Sequence, residues 1–310
     1  MDTALGIDLG GTHVTCIIID VAGQVLDKSI TPITDRSVAS VLPLLCTVSK
    51  EILSRNSNLV CKGIGIGIPG NVDPTLNSTR YLPNFGWSEP VPVGLRLQQE
   101  LELPVYMRND GRCAALAESK FGVGKESQVF AMLTLGTGIG GALIHEGKLF
   151  DGSTFDAGDF GHHVIASGIG FDCVCGKRGC FECHASAMGL VRHYWVRSSS
   201  SGMLELLPPD LTAEKVIQEI QRGSLPALDA LEDYKEDLST GLANLVTFYN
   251  PDTIALGGGL SQAWSQVFGD LEARVDAKLL PASRGHVRIL PAALSVDAGA
   301  IGAALLAFGS

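Results

Sequence analysis

Ala4-Leu5-Gly6-Ile7-Asp8-Leu9-Gly10-Gly11-Thr12-His13-Val14-Thr15-Cys16-Ile17-Ile18-Ile19-Asp20 reads as an apolar strand, a glycine turn and a second apolar strand. A turn at Val21-Ala22-Gly23 leads to a third strand over 24–31. This order decides between fold classes: a dinucleotide-binding loop runs from a strand into a helix, whereas here glycine joins strand to strand. Backbone N–H groups at Gly10 and Gly11 and the Thr12 hydroxyl suit phosphate oxygens. Asp8, at the strand end, suits a magnesium ion held through water. Taken alone, the stretch reads first as a plain hairpin.

The same pattern returns at residue 129. A strand over 130–135, the loop Gly136-Thr137-Gly138, a strand over 139–145, the turn Glu146-Gly147 and a short strand over 148–150 repeat the opening, which marks an internal duplication. Gly136, Gly138 and Gly141 match GxGxxG spacing, but the hairpin that follows excludes a nicotinamide site. One strand-glycine-strand copy in each half suits two lobes whose loops face each other and hold a nucleotide's phosphates. Gly257-Gly258-Gly259 differs, since it joins a strand over 251–256 to a helix, as expected where backbone passes close to a base or a phosphate.

A metal pattern occupies the middle of the chain. His162, Cys173, Cys175 and Cys180, with Gly176 and Gly179 as turns between the sulfurs, form a Cys3His set of the closed tetrahedral kind that structural zinc prefers. Such a site does not activate water; it folds a loop and holds what lies beside it. Cys183 and His163 are alternative ligands, and ordinary reduced thiols are the competing reading. Asp159 and Glu182 flank the loop without being needed by the metal, and by spacing alone they read as solvated charge.

The remaining segments alternate helix and strand. Helices are expected over 37–54, 93–101, 110–121, 185–196, 213–222, 227–249 and 298–306, the last rich in small residues and suited to tight packing on a sheet. Strands are expected over 62–68, stopping at Pro69-Gly70, and over 105–108. Residues 71–87 read as a long loop without structure of its own, often a binding loop, in which Asn84 stands beside Phe85, Gly86 and Trp87. Asn109-Asp110 caps the helix that follows, a frequent role for Asn and Asp. A polar connection is expected over 198–202.

Composition narrows the class. A chain of 310 residues is long enough for two domains with real cores. The net charge of −10, with no Lys/Arg cluster, argues against nucleic acid. The opening residues have no signal-peptide pattern and no apolar run approaches a membrane span, so a cytoplasmic protein with reduced thiols is expected.

Together Asp8-Leu9-Gly10-Gly11-Thr12, Pro69-Gly70, Asn109-Asp110, Leu135-Gly136-Thr137-Gly138-Ile139-Gly140-Gly141, the His/Cys loop ending in Glu182, and Leu256-Gly257-Gly258-Gly259 resemble the ROK family of sugar kinases, in the actin, hsp70 and hexokinase superfamily. The resemblance spans nearly the whole chain. It implies an α/β, two-lobed actin-like ATPase fold, each lobe an RNase-H-like mixed sheet with helices on both faces, divided as 1–112 plus 297–310 (small lobe) and 113–296 (large lobe with the zinc loop). It implies ATP and magnesium, with Asp110 as general base. Sugar contacts would come from Asn84, Asn109, Asp110, Asp159, His162 and Glu182. Structural zinc would be held by His162, Cys173, Cys175 and Cys180, and the nucleotide by Asp8, Gly10, Gly11, Thr12, Gly136, Thr137, Gly138, Gly257, Gly258 and Gly259. Two positions depart from the family pattern: Asp159 stands where Glu is usual, and Gly111-Arg112 where Ala-Asn is common. Arg112 would shift the Asp110 pKa if its side chain turned inward.

The expected function is an ATP-dependent hexose kinase, with glucose at the 6-hydroxyl favoured by the likeness of Asn84-Phe85-Gly86-Trp87 to the sugar loop of the family's glucokinases. N-acetylmannosamine, N-acetylglucosamine, fructose and allose are the alternative acceptors. A sugar-responsive repressor would carry a helix-turn-helix ahead of the first strand, and with that strand read as starting at Ala4 none is expected. A sugar-binding protein without turnover is disfavoured by the intact Asp110 and glycine loops. The expected partners are sugar and ATP, without nucleic acid or membrane, in a homodimer.

Overall fold

Apolar runs and alternations become twelve strands and ten helices among the described residues, 1–168, 170–200, 203–294 and 297–309, of this computed structural model. The strands are β1 (Asp2–Leu9), β2 (His13–Asp20), β3 (Val25–Pro32), β4 (Val60–Ile68), β5 (Asn71–Asp73), β6 (Ser78–Tyr81), β7 (Val105–Asn109), β8 (Val129–Leu135), β9 (Ile139–His145), β10 (Lys148–Leu149), β11 (Thr253–Gly257) and β12 (Arg288–Pro291). The helices are α1 (Val38–Arg55), α2 (Val93–Leu101), α3 (Asp110–Phe121), α4 (Phe181–Ala185), α5 (Ala187–Ser198), α6 (Ala213–Gln221), α7 (Leu225–Tyr249), α8 (Trp264–Val267), α9 (Leu271–Lys278) and α10 (Ala298–Leu306). None of the described helices is long and apolar enough to cross a membrane.

The chain divides into two compact units, the first Met1–Glu126, Leu143–Ala157 and Ala293–Ser310, the second Ser127–Ala142 and Gly158–Ala292. The first carries a sheet of order β3-β2-β1-β4-β7, with β1 antiparallel to β2 and parallel to β4. Its central strands are apolar on both faces because both are covered. Leu5, Ile7, Val14, Leu45 and Ile66 belong to one buried cluster. On the other face α10 lies directly on the strand backbones. A Cβ at Gly6 would fall 2.0 Å from the Ala300 carbonyl oxygen and one at Gly65 1.6 Å from that of Ala303, so only glycine lets this small-residue helix approach so closely.

The second sheet has the order β10-β9-β8-β11-β12, with β11 parallel to both β8 and β12. Third, second, first, fourth, fifth strand is the same sequence of neighbours as in the first sheet, so the duplication seen in the glycine hairpins extends to the whole sheet.

Three features differ from the sequence expectation. Residues 71–87 are not structureless: β5 and β6 pair as a hairpin whose turn is bound by the Asp73 carboxylate, followed by a 3-10 turn at Pro83–Phe85. The first unit runs past 112 because α10 packs along α3, with the Gly302 Cα facing the Cys113 carbonyl, and the expected boundary at 296 falls on a residue outside those described. The segment after Gly257 is a 3-10 turn, Gly259–Ala263, before the short α8. The polar connection over 198–202 lies partly outside the described residues.

Candidate active site

In the first unit the acidic groups come from three chain ends. Asp8 is the penultimate residue of β1, Asp110 opens α3 and Asp297 holds the position just before α10. Asn109 fixes Asp110 in place: its side-chain oxygen accepts from the N–H groups of Gly111 (3.0 Å) and Arg112 (3.3 Å), and its amide nitrogen donates to the Gly70 carbonyl (3.2 Å). Asn109 is thus a helix cap tied to the Pro69-Gly70 turn, and its amide is largely engaged within the protein. The Asp110 carboxylate accepts from Gly111 N–H at 2.8 Å, yet burial outweighs this and raises its pKa.

Asp8 is also raised, to about 7, by burial and then by the charges of Asp110 and Asp297. It fits against α10 only because residue 299 is glycine, where a Cβ would lie 2.7 Å from Asp8 Oδ2. An acidic group so destabilised in its charged form is one that a bound cation would neutralise, so these carboxylates fit magnesium. Arg112 is buried but turns away, donating to the carbonyls of Phe155 and of Ala157 (3.0 Å).

The first glycine loop is tighter than expected. Gly10 N–H closes the hairpin onto His13 O at 3.0 Å, and the Thr12 hydroxyl meets His13 Nδ1 at 3.0 Å. Gly10 therefore does not offer a spare N–H to phosphate. Asn84 is exposed on the 3-10 turn, which is anchored from below by buried Phe85 and Trp87, 5.5 Å apart edge-on, and by Trp87 Nε1–H donating to Arg36 O at 2.8 Å.

In the second unit the four metal candidates converge. The donor atoms of His162, Cys173, Cys175 and Cys180 lie within 4.8 Å of one another. Cys173 Sγ is 3.7 Å from His162 Nδ1 and Cys175 Sγ 3.6 Å from Cys180 Sγ. Those separations are close to the edges of a zinc tetrahedron, about 3.5 to 3.8 Å for bonds of about 2.0 and 2.3 Å. Burial, followed by the neighbouring sulfurs, pushes the Cys180 thiol up to about 12, a repulsion that a dication relieves. Cys183 and His163 stand outside the set: Cys183 Sγ turns to Asp172 O (3.4 Å) and His163 Nδ1 lies at Phe160 O (2.6 Å). Gly176 and Gly179 hold left-handed φ values of 84° and 79°, and a Cβ at Gly179 would strike the Ala166 carbonyl at 2.0 Å.

That loop continues into α4, which carries Glu182. Glu182 Oε2 accepts the Ile139 N–H at 2.9 Å, joining the cysteine loop to the second glycine loop. Phe181, fully buried, lies against Gly241 of α7. Asp159, exposed, precedes the 3-10 turn Phe160–His162.

Beside the second glycine loop is a cavity of about 650 Å³ lined by Gly136, Thr137, Met188, Ile217, Gly259 and Leu260, among others. Its size and mixed lining suit a small organic ligand of nucleoside dimensions. Gly138 instead gives its space to Glu182, and Gly258, at φ 93°, packs on the Leu135 carbonyl. The walls from α5 and α6 escaped sequence reasoning; the Thr212 side chain, accepting from Lys215 N–H at 3.4 Å, is the cap that signals where α6 begins.

The chain as a whole is similar to known proteins. Over 313 residues the chain is 30% identical to a glucokinase of Halalkalibacterium halodurans, covering 96% of this chain and 92% of that one. It is 31% identical to an N-acetyl-D-glucosamine kinase of Escherichia coli over 97% of this chain and 98% of that one. The structure superposes on a ROK family glucokinase from Streptomyces griseus, in complex with glucose and AMPPNP, with a TM-score of 0.77, 27% identity, and coverage of 99% of this chain and all of that one. The duplicated sheets are those of the actin-like α/β class. With the ROK profile matching residues 4–309, from within the first strand to just past the last helix, the chain belongs to the ROK family.

Proposed function

We propose that the protein is an ATP-dependent hexose kinase with Asp110 as general base. The observation that carries this is the Asp110 carboxylate itself, fixed by Asn109 at the start of α3, raised in pKa by burial, and close enough to Asp8 for their charges to interact. A base of raised pKa is better matched to a hydroxyl proton near neutral pH. Asp110 takes that proton, the sugar oxygen bonds to the γ-phosphorus, and the bond to the β,γ-bridging oxygen breaks to release ADP. Phosphoryl transfer asks the protein chiefly for alignment and charge neutralisation.

The cavity beside Gly136, Thr137 and Gly259 takes the nucleoside, and Asn84, Asp159, His162 and Glu182 contact the sugar. Magnesium, bound with the nucleotide near Asp8, supplies positive charge to the phosphates. Zinc, held by His162, Cys173, Cys175 and Cys180, folds the loop that presents His162 and Glu182. Glucose, at its 6-hydroxyl, is the leading acceptor, supported by the likeness to glucokinases. N-acetylglucosamine is the second reading, supported by the equal likeness to an N-acetylglucosamine kinase and by Asp159, one methylene shorter than the usual Glu, which leaves room for a substituent. ADP release across a panel of hexoses and N-acetylhexosamines tests both. Turnover is expected with one of them, and its absence with all would return the protein to the sugar-binding class.

A further inference from the structure

A second cluster of titratable side chains lies behind the cysteine loop, wholly within the second unit. His184 of α4, His193 of α5 and Asp237 of α7 meet there, both imidazoles nine-tenths buried. His184 Nδ1 is 2.7 Å from Asp237 Oδ2, and His193 Nε2 is 3.2 Å from the same oxygen. The other nitrogen of His184 accepts the backbone N–H of Phe171 at 3.1 Å. Its ring stacks on the Phe171 ring at 4.6 Å, with His193 edge-on to that ring at 5.2 Å. A Cβ at Gly170 would fall 2.5 Å from His184 Nε2, so the chain comes this close only as glycine.

The Phe171 contact fixes the tautomer. A ring nitrogen that accepts an N–H carries a lone pair, so His184 is neutral with its proton on Nδ1, directed at Asp237. A metal ion on Nδ1 would send that proton to Nε2, against the Phe171 N–H. His184 and Asp237 are therefore joined by a hydrogen bond, with His193 Nε2 beside the same oxygen but not aligned to bond it, although the donor atoms of the three stand close enough for a metal. Burial pushes the Asp237 carboxyl up, but the hydrogen bond with His184 and the nearby His193 imidazole outweigh it and hold the carboxyl at about 2.

We propose that His184 is a positioning residue for the sugar acceptor: anchored to α7 through Asp237, it sets the start of the cysteine loop through Phe171 and the placement of Glu182, two residues before it on α4. This rests on the kinase reading given above. Asp237 and Phe171 approach His184 from opposite sides, so the five-residue α4 cannot turn about its axis without breaking one of these bonds. Glu182 on the same helix is then held over Ile139 N–H.

The test compares full-length wild type with His184→Phe, which keeps the stacking and removes both hydrogen bonds, with His184→Asn, whose amide can still donate to Asp237, and with Asp237→Asn. Sugar and ATP affinity, kcat, bound zinc and amide exchange at Phe171 are measured for each. His184→Phe is expected to weaken sugar binding by about tenfold or more, the loss of a charge-assisted hydrogen bond, with ATP affinity changed less than about twofold, zinc unchanged and Phe171 exchange accelerated. His184→Asn recovers part of the sugar affinity. Parallel loss of sugar and ATP binding, or unchanged Phe171 exchange, overturns the inference. So does loss of one metal equivalent in Asp237→Asn, which would assign the cluster to a second ion. A wild type that phosphorylates no sugar defeats the kinase reading instead, whereas an active wild type with an unaffected His184→Phe defeats this one.

Discussion

Glu182 Oε2 accepts the backbone N–H of Ile139 at 2.9 Å while occupying the space that a side chain on Gly138 would need, 2.3 Å from its Cβ position. One carboxylate thereby couples the cysteine loop to the glycine loop, and the coupling depends on a missing methyl group. Gly138→Ala is expected to displace the flexible end of Glu182 at little cost to the fold. Sugar kcat/KM should fall about tenfold or more, the scale of a lost hydrogen bond to a charged group, with the melting temperature nearly unchanged. Calorimetry and steady-state kinetics check this; a large drop in melting temperature would mean that the backbone, and not Glu182, had moved.

Elemental analysis of the purified protein is expected to give one zinc per chain. Cys175 is exposed, and the Lys177 backbone N–H holds its thiol below the usual value, favouring the thiolate. Cys175→Ser should lower zinc content and sugar affinity together, because metal binding and loop folding are one event. Metal-free protein with full sugar affinity would show that the loop is held otherwise.

Asp159→Glu restores the longer carboxylate at an exposed position beside His162. A changed sugar contact to a charged group is worth on the order of 1.5–3 kcal/mol. The ranking of glucose against N-acetylglucosamine by kcat/KM is therefore expected to shift toward the unsubstituted hexose. An identical ranking removes Asp159 from the sugar site.

The acidic site makes stability pH-dependent in a stated direction. Asp8 has a pKa of about 7 in the folded protein against 3.8 when unperturbed, so between those values the folded state holds a proton the unfolded state has lost. Its contribution is fully present below pH 3.8 and lost as pH rises through about 7. Without nucleotide or metal, Asp8→Asn is expected to melt a few degrees above the wild type at alkaline pH and level with it near pH 4. Equal melting temperatures at both would show that Asp8 is not destabilised in the folded state.

Much of this fold was legible because its signals are local and repeated. Both glycine hairpins, the small-residue α10 and the Cys/His spacing declare themselves within a few residues of sequence. The β5–β6 hairpin was not legible, because its strands are short and its turn is shaped by Asp73 and by Asn77 at φ 48°, with no glycine to mark it. The same limit hid Asp237. It lies 53 residues from His184 on an otherwise ordinary helix, and no spacing rule links single residues across such a distance. For Asn109 the modest expectation of a cap describes what its side chain does, and Gly10 shows a glycine used for closing a turn before any phosphate is considered.

Asp110→Asn tests the central claim most directly, since Asn keeps the size and capping ability of Asp and deletes only the proton acceptor. General-base contributions are about 100-fold to 10,000-fold, so kcat measured by ADP release should fall by at least the lower figure. ATP affinity should survive and sugar affinity by calorimetry should weaken only modestly. An Asn variant that kept more than about a tenth of wild-type kcat, well short of a general-base effect, would contradict the account and remove Asp110 from the chemistry.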